Sequence, residues 1–125
     1  VAFALGGLMM TTRDYARMGE LARLNGLFDG RRIVPEAWMI ESTTPTAPTA
    51  QGAIGYGYQW WIPADATPGE VMARGVYGQY VYIDRERRTV IAVNAADTRF
   101  RDDGAFDDAL EMFRRIARQL EESAA

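Results

Sequence analysis

The 125-residue sequence contains no cysteine, no histidine and no lysine; all 14 of its basic residues are arginine. Without cysteine there are no disulfides and no thiolate metal sites, and the redox compartment stays open. Without histidine the commonest metal ligand and general base is missing. The only serines are Ser42 and Ser123, and neither has a lysine or histidine to activate it, as nucleophilic catalysis requires. Ser42 reads as a helix-end residue and Ser123 as part of the tail. No apolar run approaches the length of a membrane span. No basic region precedes the apolar stretch from Val1 to Met10, so it does not read as a signal peptide. The chain opens on that stretch without a methionine, and is therefore expected to be a piece of a longer polypeptide.

What is present is ordinary for a globular chain: 48% hydrophobic residues, 25% charged, and a net charge of −3. This length suits one core. The acid excess argues against a general nucleic-acid binder, which would show a basic face. Arginine throughout reads as compositional bias, although arginine is also the better bidentate partner for carboxylates.

Thr11 is placed to cap a first helix, with Asp14 three residues on as in a capping box. Tyr15, Met18, Leu21, Ala22 and Leu24 fall on one helical face, Gly26 suits the C-terminal cap, and Asp29-Gly30 a tight turn. Pro35 opens a shorter helix to Glu41. Residues 43–52 form a long polar, proline-bearing loop, which indicates a surface excursion. Tyr56 to Ile62 reads as one aromatic strand, and alternation puts Tyr56, Tyr58 and Trp60 on one face with Trp61 on the other. Val71 to Ile83 reads as one long strand pairing with Thr89 to Asn94 across Asp84–Arg88. Ala105 to Leu120 carries a continuous apolar stripe of Phe106, Ala109, Leu110, Phe113, Ile116, Ala117 and Leu120. Asp107 and Asp108 lie at its start and Arg114, Arg115 and Arg118 towards its end, as the helix dipole favours. The expected fold class is α+β: an antiparallel sheet covered by a C-terminal helix, with helices at the N-terminus. The chain reads as a single unit, with a helical and loop region over 1–53 and the sheet and last helix over 54–125. Three strands are few under so long a helix, so more are expected from residues not in this chain or from a second copy.

Two glycines within the Val71–Ile83 segment mark a bulge or a close approach to the backbone. In Arg74-Gly75-Val76-Tyr77-Gly78-Gln79, a backbone N–H near Gly75 or Val76 aimed into a cleft would stabilise negative charge on a carbonyl oxygen. A bulge beneath a packed aromatic is the structural alternative, and a lone G-x-x-G also occurs in loops that bind phosphate or RNA. Tyr77 and Gln79, beside the glycines, are the expected ligand contacts among the aromatic-rich residues. Asp84 and Glu86 fall in a turn, and Asp102, Asp103, Asp107 and Asp108 are explained by capping. No carboxylate pair requires a glycosidase or metal-binding reading.

Four segments in order resemble the serine β-lactamase-like hydrolases. Leu5-Gly6-Gly7-Leu8-Met9-Met10-Thr11-Thr12-Arg13-Asp14-Tyr15-Ala16-Arg17-Met18-Gly19 is similar to their G-G-x-x-x-T-x-x-D-x-A-R-x-G stretch. Arg31 to Trp38 is similar to G-x-x-I/L-x-P-x-x-W, Tyr56 to Trp61 to Y-G-x-x-W-W, and Gly75 to Asp84 to G-x-x-G-Q-x-x-x-x-D/P. The resemblance covers nearly the whole chain, and its nearest branches are class C β-lactamase-like esterases and 6-aminohexanoate-dimer hydrolases. It implies the C-terminal part of a hydrolase that acts on esters or amides through an acyl-enzyme. The nucleophilic serine and its lysine would lie in an upstream S-x-x-K motif. The family's K-T-G element aligns with Ala73-Arg74-Gly75; the glycine is kept, the lysine and threonine are not, which fits esterase or amidase branches better than penicillin-recognising ones. By resemblance, Val76 would give its backbone N–H to the oxyanion hole with Gly75 beside it, and Arg74, Tyr77 and Gln79 would contact substrate. No cofactor and no metal are expected.

Two other functions fit the same residues. One is a non-catalytic ligand-binding or protein-interaction module on the same sheet-helix scaffold. The other is a helix-turn-helix nucleic-acid binder, which the acidic balance and the Pro35 break disfavour. The expected partner is a small-molecule ester or amide in the full-length protein, with no nucleic acid and no membrane. An exposed sheet edge invites a homo-oligomer or pairing with the missing N-terminal half. The compartment, bacterial cytoplasm or periplasm, is left open.

Overall fold

The computed structural model describes residues 6–125. Val1 and Leu5, which open the chain and the first family-like stretch, lie outside the described residues. Helix α1 spans Thr12–Arg23 and is capped by Thr11, whose hydroxyl oxygen accepts the Asp14 N–H at 3.2 Å while its hydroxyl donates to the Asp14 carboxylate at 2.9 Å. Its end is closed by Gly26, at φ 93°, donating to Leu21 O at 2.8 Å. A Cβ there would stand 2.2 Å from Val34 O, so only glycine fits. Strands β1 (Leu27–Phe28) and β2 (Arg31–Arg32) follow, joined through Asp29 and Gly30, both at positive φ. That is the backbone a two-residue hairpin turn needs. Helix α2 runs Glu36–Ser42 behind Pro35.

The body of the molecule is a five-stranded antiparallel meander, ordered β3-β4-β5-β6-β7. Its strands are β3 (Gly55–Tyr56), β4 (Trp61–Ile62), β5 (Glu70–Gly75), β6 (Gln79–Asp84) and β7 (Thr89–Val93); helix α3 (Ala105–Ala124) follows. The fold is α+β, and the C-terminal helix covers the sheet as expected. Alternation along the strands then builds two cores. Val71, Val81 and Ile83 pack with Ala22 of α1 and Met39 of α2 on one face. Met72 and Tyr82 pack with Leu110, Phe113 and Ala117 of α3 on the other. The sheet is thus covered on both faces. Gly19 lets α1 close on β6 and β7, since a Cβ there would lie 2.6 Å from Val90 Cγ1 and 2.8 Å from Val81 Cγ1.

Two strand assignments are corrected. Val71 to Ile83 is not one strand but a hairpin: β5 and β6 pair from Glu70↔Asp84 to Gly75↔Gln79, and Val76–Gly78 form the tight turn between them. Tyr77 at φ 63° and Gly78 at φ 78° turn the chain back. The β-branched and aromatic residues on both sides hid this turn, because the glycines read as bulges inside a single run. Tyr56 to Ile62 is likewise a hairpin, with Tyr56↔Trp61 paired and Gln59 at φ 66° in the turn. The expected grouping of Tyr56, Tyr58 and Trp60 therefore fails: Tyr56 stacks on Trp61 at 4.6 Å, Tyr58 on Trp38 of α2 at 5.3 Å, and Trp60 joins the α1-side core.

Polar clasps fix the layers. Glu70, 2% exposed, accepts from Arg114 Nε and Nη2 of α3, each at 2.8 Å, and from the Tyr82 hydroxyl at 2.8 Å. Burial opposes ionisation of Glu70, but the Arg114 and Tyr82 hydrogen bonds outweigh it and hold its carboxyl below the usual range. Burial, followed by the hydrogen bond to Glu70 and then that carboxylate's charge, pushes the Tyr82 hydroxyl well up. On the opposite face Arg85 donates to Ala22 O at 3.1 Å, at the end of α1, and to Thr43 Oγ1 at 3.4 Å.

Candidate functional site

The β5–β6 turn gathers Arg74, Gly75, Val76, Tyr77 and Gln79 into six consecutive positions (74–79) at one end of the sheet. The ladder stops at Gly75↔Gln79, and Val76 is the first residue beyond it, 52% exposed. Among the described residues, the Val76 N–H is not a donor in any turn, loop or cap backbone bond. The Gln79 side chain donates from Nε2 to Val76 O at 3.2 Å and braces the turn from inside. Gly75 is extended, at φ −115° and ψ 167°; a Cβ there would meet Gln79 Cβ at 3.2 Å, a tight but not forbidding contact. On the other side of β5, β4 pairs only at Trp61↔Met72. The outer edge of Ala73, Arg74 and Gly75 is thus left without a ladder partner among the described residues.

Two cavities meet at this turn. The first, about 700 Å³, lies on the α1 side between Tyr15 and Met18 of α1, the segment through Met9 and Met10, and the ends of β5, β6 and β7. The side chains of its described lining are apolar apart from those of Arg74, Tyr15, Tyr80, Gln79 and Asn94, with no carboxylate. The Tyr15 hydroxyl donates to Leu8 O. The second, about 650 Å³, lies on the α3 side and is bounded by Trp61, Phe100, Phe106 and the start of α3. Arg74, Gly75, Val76 and Tyr80 border both, so Val76 stands on the ridge between them.

Strand alternation turns the Arg74 side chain to the α3 side. Its guanidinium lies 4.0 Å over the Phe106 ring and 5.3 Å from the Trp61 ring. Tyr77 borders neither cavity; it stacks edge-on against Phe100 at 5.3 Å, and its carbonyl accepts the Asp97 N–H at 3.0 Å. Neither serine comes near. The Ser42 hydroxyl donates to Met39 O at 3.0 Å and that of Ser123 to Gln119 O at 2.7 Å, both ordinary helix back-bonds. Among the described residues no group of three or more His, Cys, Asp or Glu is placed to hold a metal ion. No described helix is long and apolar enough to cross a membrane.

Asn94, Tyr15, Met18, Trp61, Phe100 and Phe106 are site neighbours that the sequence pattern does not mark as such. A signal existed for Asn94: once residues 76–78 are a turn, pairing Tyr80 with Val93 sets Asn94 level with Gln79. The aromatic neighbours depend on where α3 begins over the sheet, which no local pattern encodes.

Comparison with known proteins adds to this geometry. The Beta-lactamase family model matches residues 2–113. The chain is 31% identical over 98 residues to 6-aminohexanoate-dimer hydrolase of Paenarthrobacter ureafaciens, covering 71% of this chain and 25% of that protein. Among solved structures it resembles a Bacillus anthracis protein assigned as a 6-aminohexanoate-dimer hydrolase, with a TM-score of 0.71 and 29% identity. That alignment covers 90% of this chain and 29% of the other. The chain therefore spans about a quarter of the length of the curated relative it matches. With a family model running over residues 2–113 and both relatives sharing one hydrolase assignment, this chain belongs to the Beta-lactamase family.

Proposed function

We propose that these residues form the oxyanion-donating and substrate-facing part of a serine hydrolase that cleaves an ester or amide through an acyl-enzyme. The Val76 N–H, standing off the ladder on the ridge between two cavities, is the observation that carries this reading. A serine oxygen attacks the substrate carbonyl carbon, and the carbonyl oxygen takes up the negative charge. The Val76 amide donates to that oxygen, a contribution of roughly 3 kcal/mol of transition-state stabilisation. The carbonyl then re-forms, the alcohol or amine leaves with a proton, and water releases the acid from the serine.

The unpaired edge of Ala73–Gly75 gives the substrate backbone a place to lie, in the manner of an added strand. Gln79 keeps the turn in shape, Arg74 borders its α3 side, and Tyr77, outside both cavities, braces the turn against Phe100. The nucleophile and its base are not among these residues, which hold no lysine and two serines already engaged in helix back-bonds. The test is hydrolysis of a p-nitrophenyl ester by the 125-residue chain alone and by the gene product that contains it. The expected result is turnover by the gene product and only the buffer rate for the chain alone. Enzymatic turnover by the chain alone, or none by a gene product carrying Ser-x-x-Lys, overturns the reading.

A further inference from the structure

We propose that Tyr77 is a positioning residue, clamped by Phe100 and Asp97 so that the Val76 N–H meets the reacting carbonyl at one fixed place. The proposal rests on the hydrolase reading given above. It adds a second segment, the connector between β7 and α3, on which the geometry of the turn depends.

Tyr77 directly follows the donor yet borders neither cavity, so its side chain acts on the turn rather than on a bound ligand. It stands at φ 63° and ψ 25°, in the left-handed region where a turn ordinarily places glycine, asparagine or aspartate. A bulky aromatic is disfavoured there and persists only where its surroundings hold it. The cores do not require this ring: Tyr77 is 47% exposed and belongs to neither. Two contacts hold it, both from the connector. The Phe100 ring meets the Tyr77 ring edge-on with centroids 5.3 Å apart, and the Asp97 N–H donates to Tyr77 O at 3.0 Å. The connector is itself tied at this point. Asp97 Oδ1 accepts the Arg99 N–H at 2.9 Å and Asp97 O accepts the Phe100 N–H at 3.4 Å. Ring and N–H are thus offered to Tyr77 as one unit.

Both peptide groups of Tyr77 are pinned as a result. Gln79 Nε2 donates to Val76 O at 3.2 Å on one side, and Asp97 holds Tyr77 O on the other. On the near side of the donor, Gly75 is secured as the last ladder residue. The Val76 N–H is left as the group these restraints aim. A donor already aimed at the place where the oxyanion forms costs no reorganisation during the reaction. Misplacing it by an ångström can cost about 100-fold in rate. Phe100 also lines the second cavity, so the ring that steadies the turn faces the space beside the donor.

The test compares Tyr77→Gly, Tyr77→Phe, Phe100→Leu and the Tyr77→Gly, Phe100→Leu double variant in the gene product that contains this chain, with a p-nitrophenyl ester as substrate. Tyr77→Gly suits the left-handed backbone but removes the ring. Its kcat is expected to fall about 10- to 100-fold with KM within about threefold of wild type. Tyr77→Phe keeps the ring and is expected to hold kcat within about twofold. The double variant is expected to lose no more than Tyr77→Gly alone, because the two rings act as a pair. Thermal melting establishes that each variant is folded; should Tyr77→Gly fail to fold, Tyr77→Asn, which also tolerates the left-handed backbone, takes its place. Wild-type kcat in folded Tyr77→Gly, a raised KM at unchanged kcat, or losses that multiply in the double variant overturn the proposal and leave the hydrolase reading intact. No turnover by the wild-type gene product overturns the hydrolase reading and this proposal with it.

Discussion

Replacing Arg114 by alanine tests how α3 is fastened to the sheet. The Glu70 carboxylate, 2% exposed, accepts from Arg114 Nε, Arg114 Nη2 and the Tyr82 hydroxyl, each at 2.8 Å, and from the Thr67 N–H at 3.3 Å. Arg114→Ala removes two of these four donors and the only positive charge among them. A buried carboxylate without its cation costs about 3–5 kcal/mol, a large part of the stability of a domain of this size. The second partner of Arg114, Asp65, is 75% exposed, so Asp65→Asn is expected to cost under about 1 kcal/mol. Urea denaturation of the two variants near neutral pH separates these values. The pH dependence has a definite sign. In the wild type the Glu70 carboxyl titrates below its ordinary value, so its stabilisation is complete above about pH 4.3 and is lost as pH falls through the folded value. In Arg114→Ala only burial and weaker donors act on Glu70. Its carboxyl then titrates higher, and protonation relieves the variant. The stability gap is therefore predicted to narrow as the solution is made acid. A cost under 1 kcal/mol, or a gap that does not change with pH, would refute the reasoning.

Two further substitutions probe close approaches. Gly19→Ala raises helix propensity but drives a methyl group to 2.6 Å from Val90 Cγ1, so it is predicted to destabilise by about 1–3 kcal/mol in thermal or urea unfolding; a neutral or stabilising effect would show that α1 can lift off the sheet freely. Gly57→Ala places its methyl 2.3 Å from Ser42 O and disturbs the Tyr58 N–H bond to that carbonyl at 2.8 Å. It is predicted to loosen the β3–β4 hairpin from α2, seen as loss of amide-exchange protection at Tyr58 before global unfolding.

The elements with a strong local signature were legible. Thr11 and Asp14 announced the start of α1, Gly26 and Asp29-Gly30 its end and the following turn, and the apolar stripe from Phe106 to Leu120 announced α3. The hairpins were not, for a common physical reason. Tyr77 and Gln59 occupy the left-handed region although neither is glycine, and Gly78 beside Tyr77 read as a bulge within a strand, so adjoining strands read as one. The missed turn also hid the site's geometry. It is the reversal at Val76–Gly78 that lifts Val76 off the ladder and brings Gln79 and Asn94 alongside it. The second covering layer was hidden too, because the contact of Gly19 with Val81 and Val90 is a relation between distant residues.

The proposed chemistry depends on the main-chain N–H of Val76. Val76→Pro deletes that group, and Gly75 already has the extended backbone that a residue before proline requires. Val76→Ala keeps the N–H and trims the side chain. In the gene product that contains this chain, kcat for ester hydrolysis is predicted to fall about 100- to 1,000-fold for proline and to stay within a few-fold for alanine. Equal rates for the two folded variants would contradict the account.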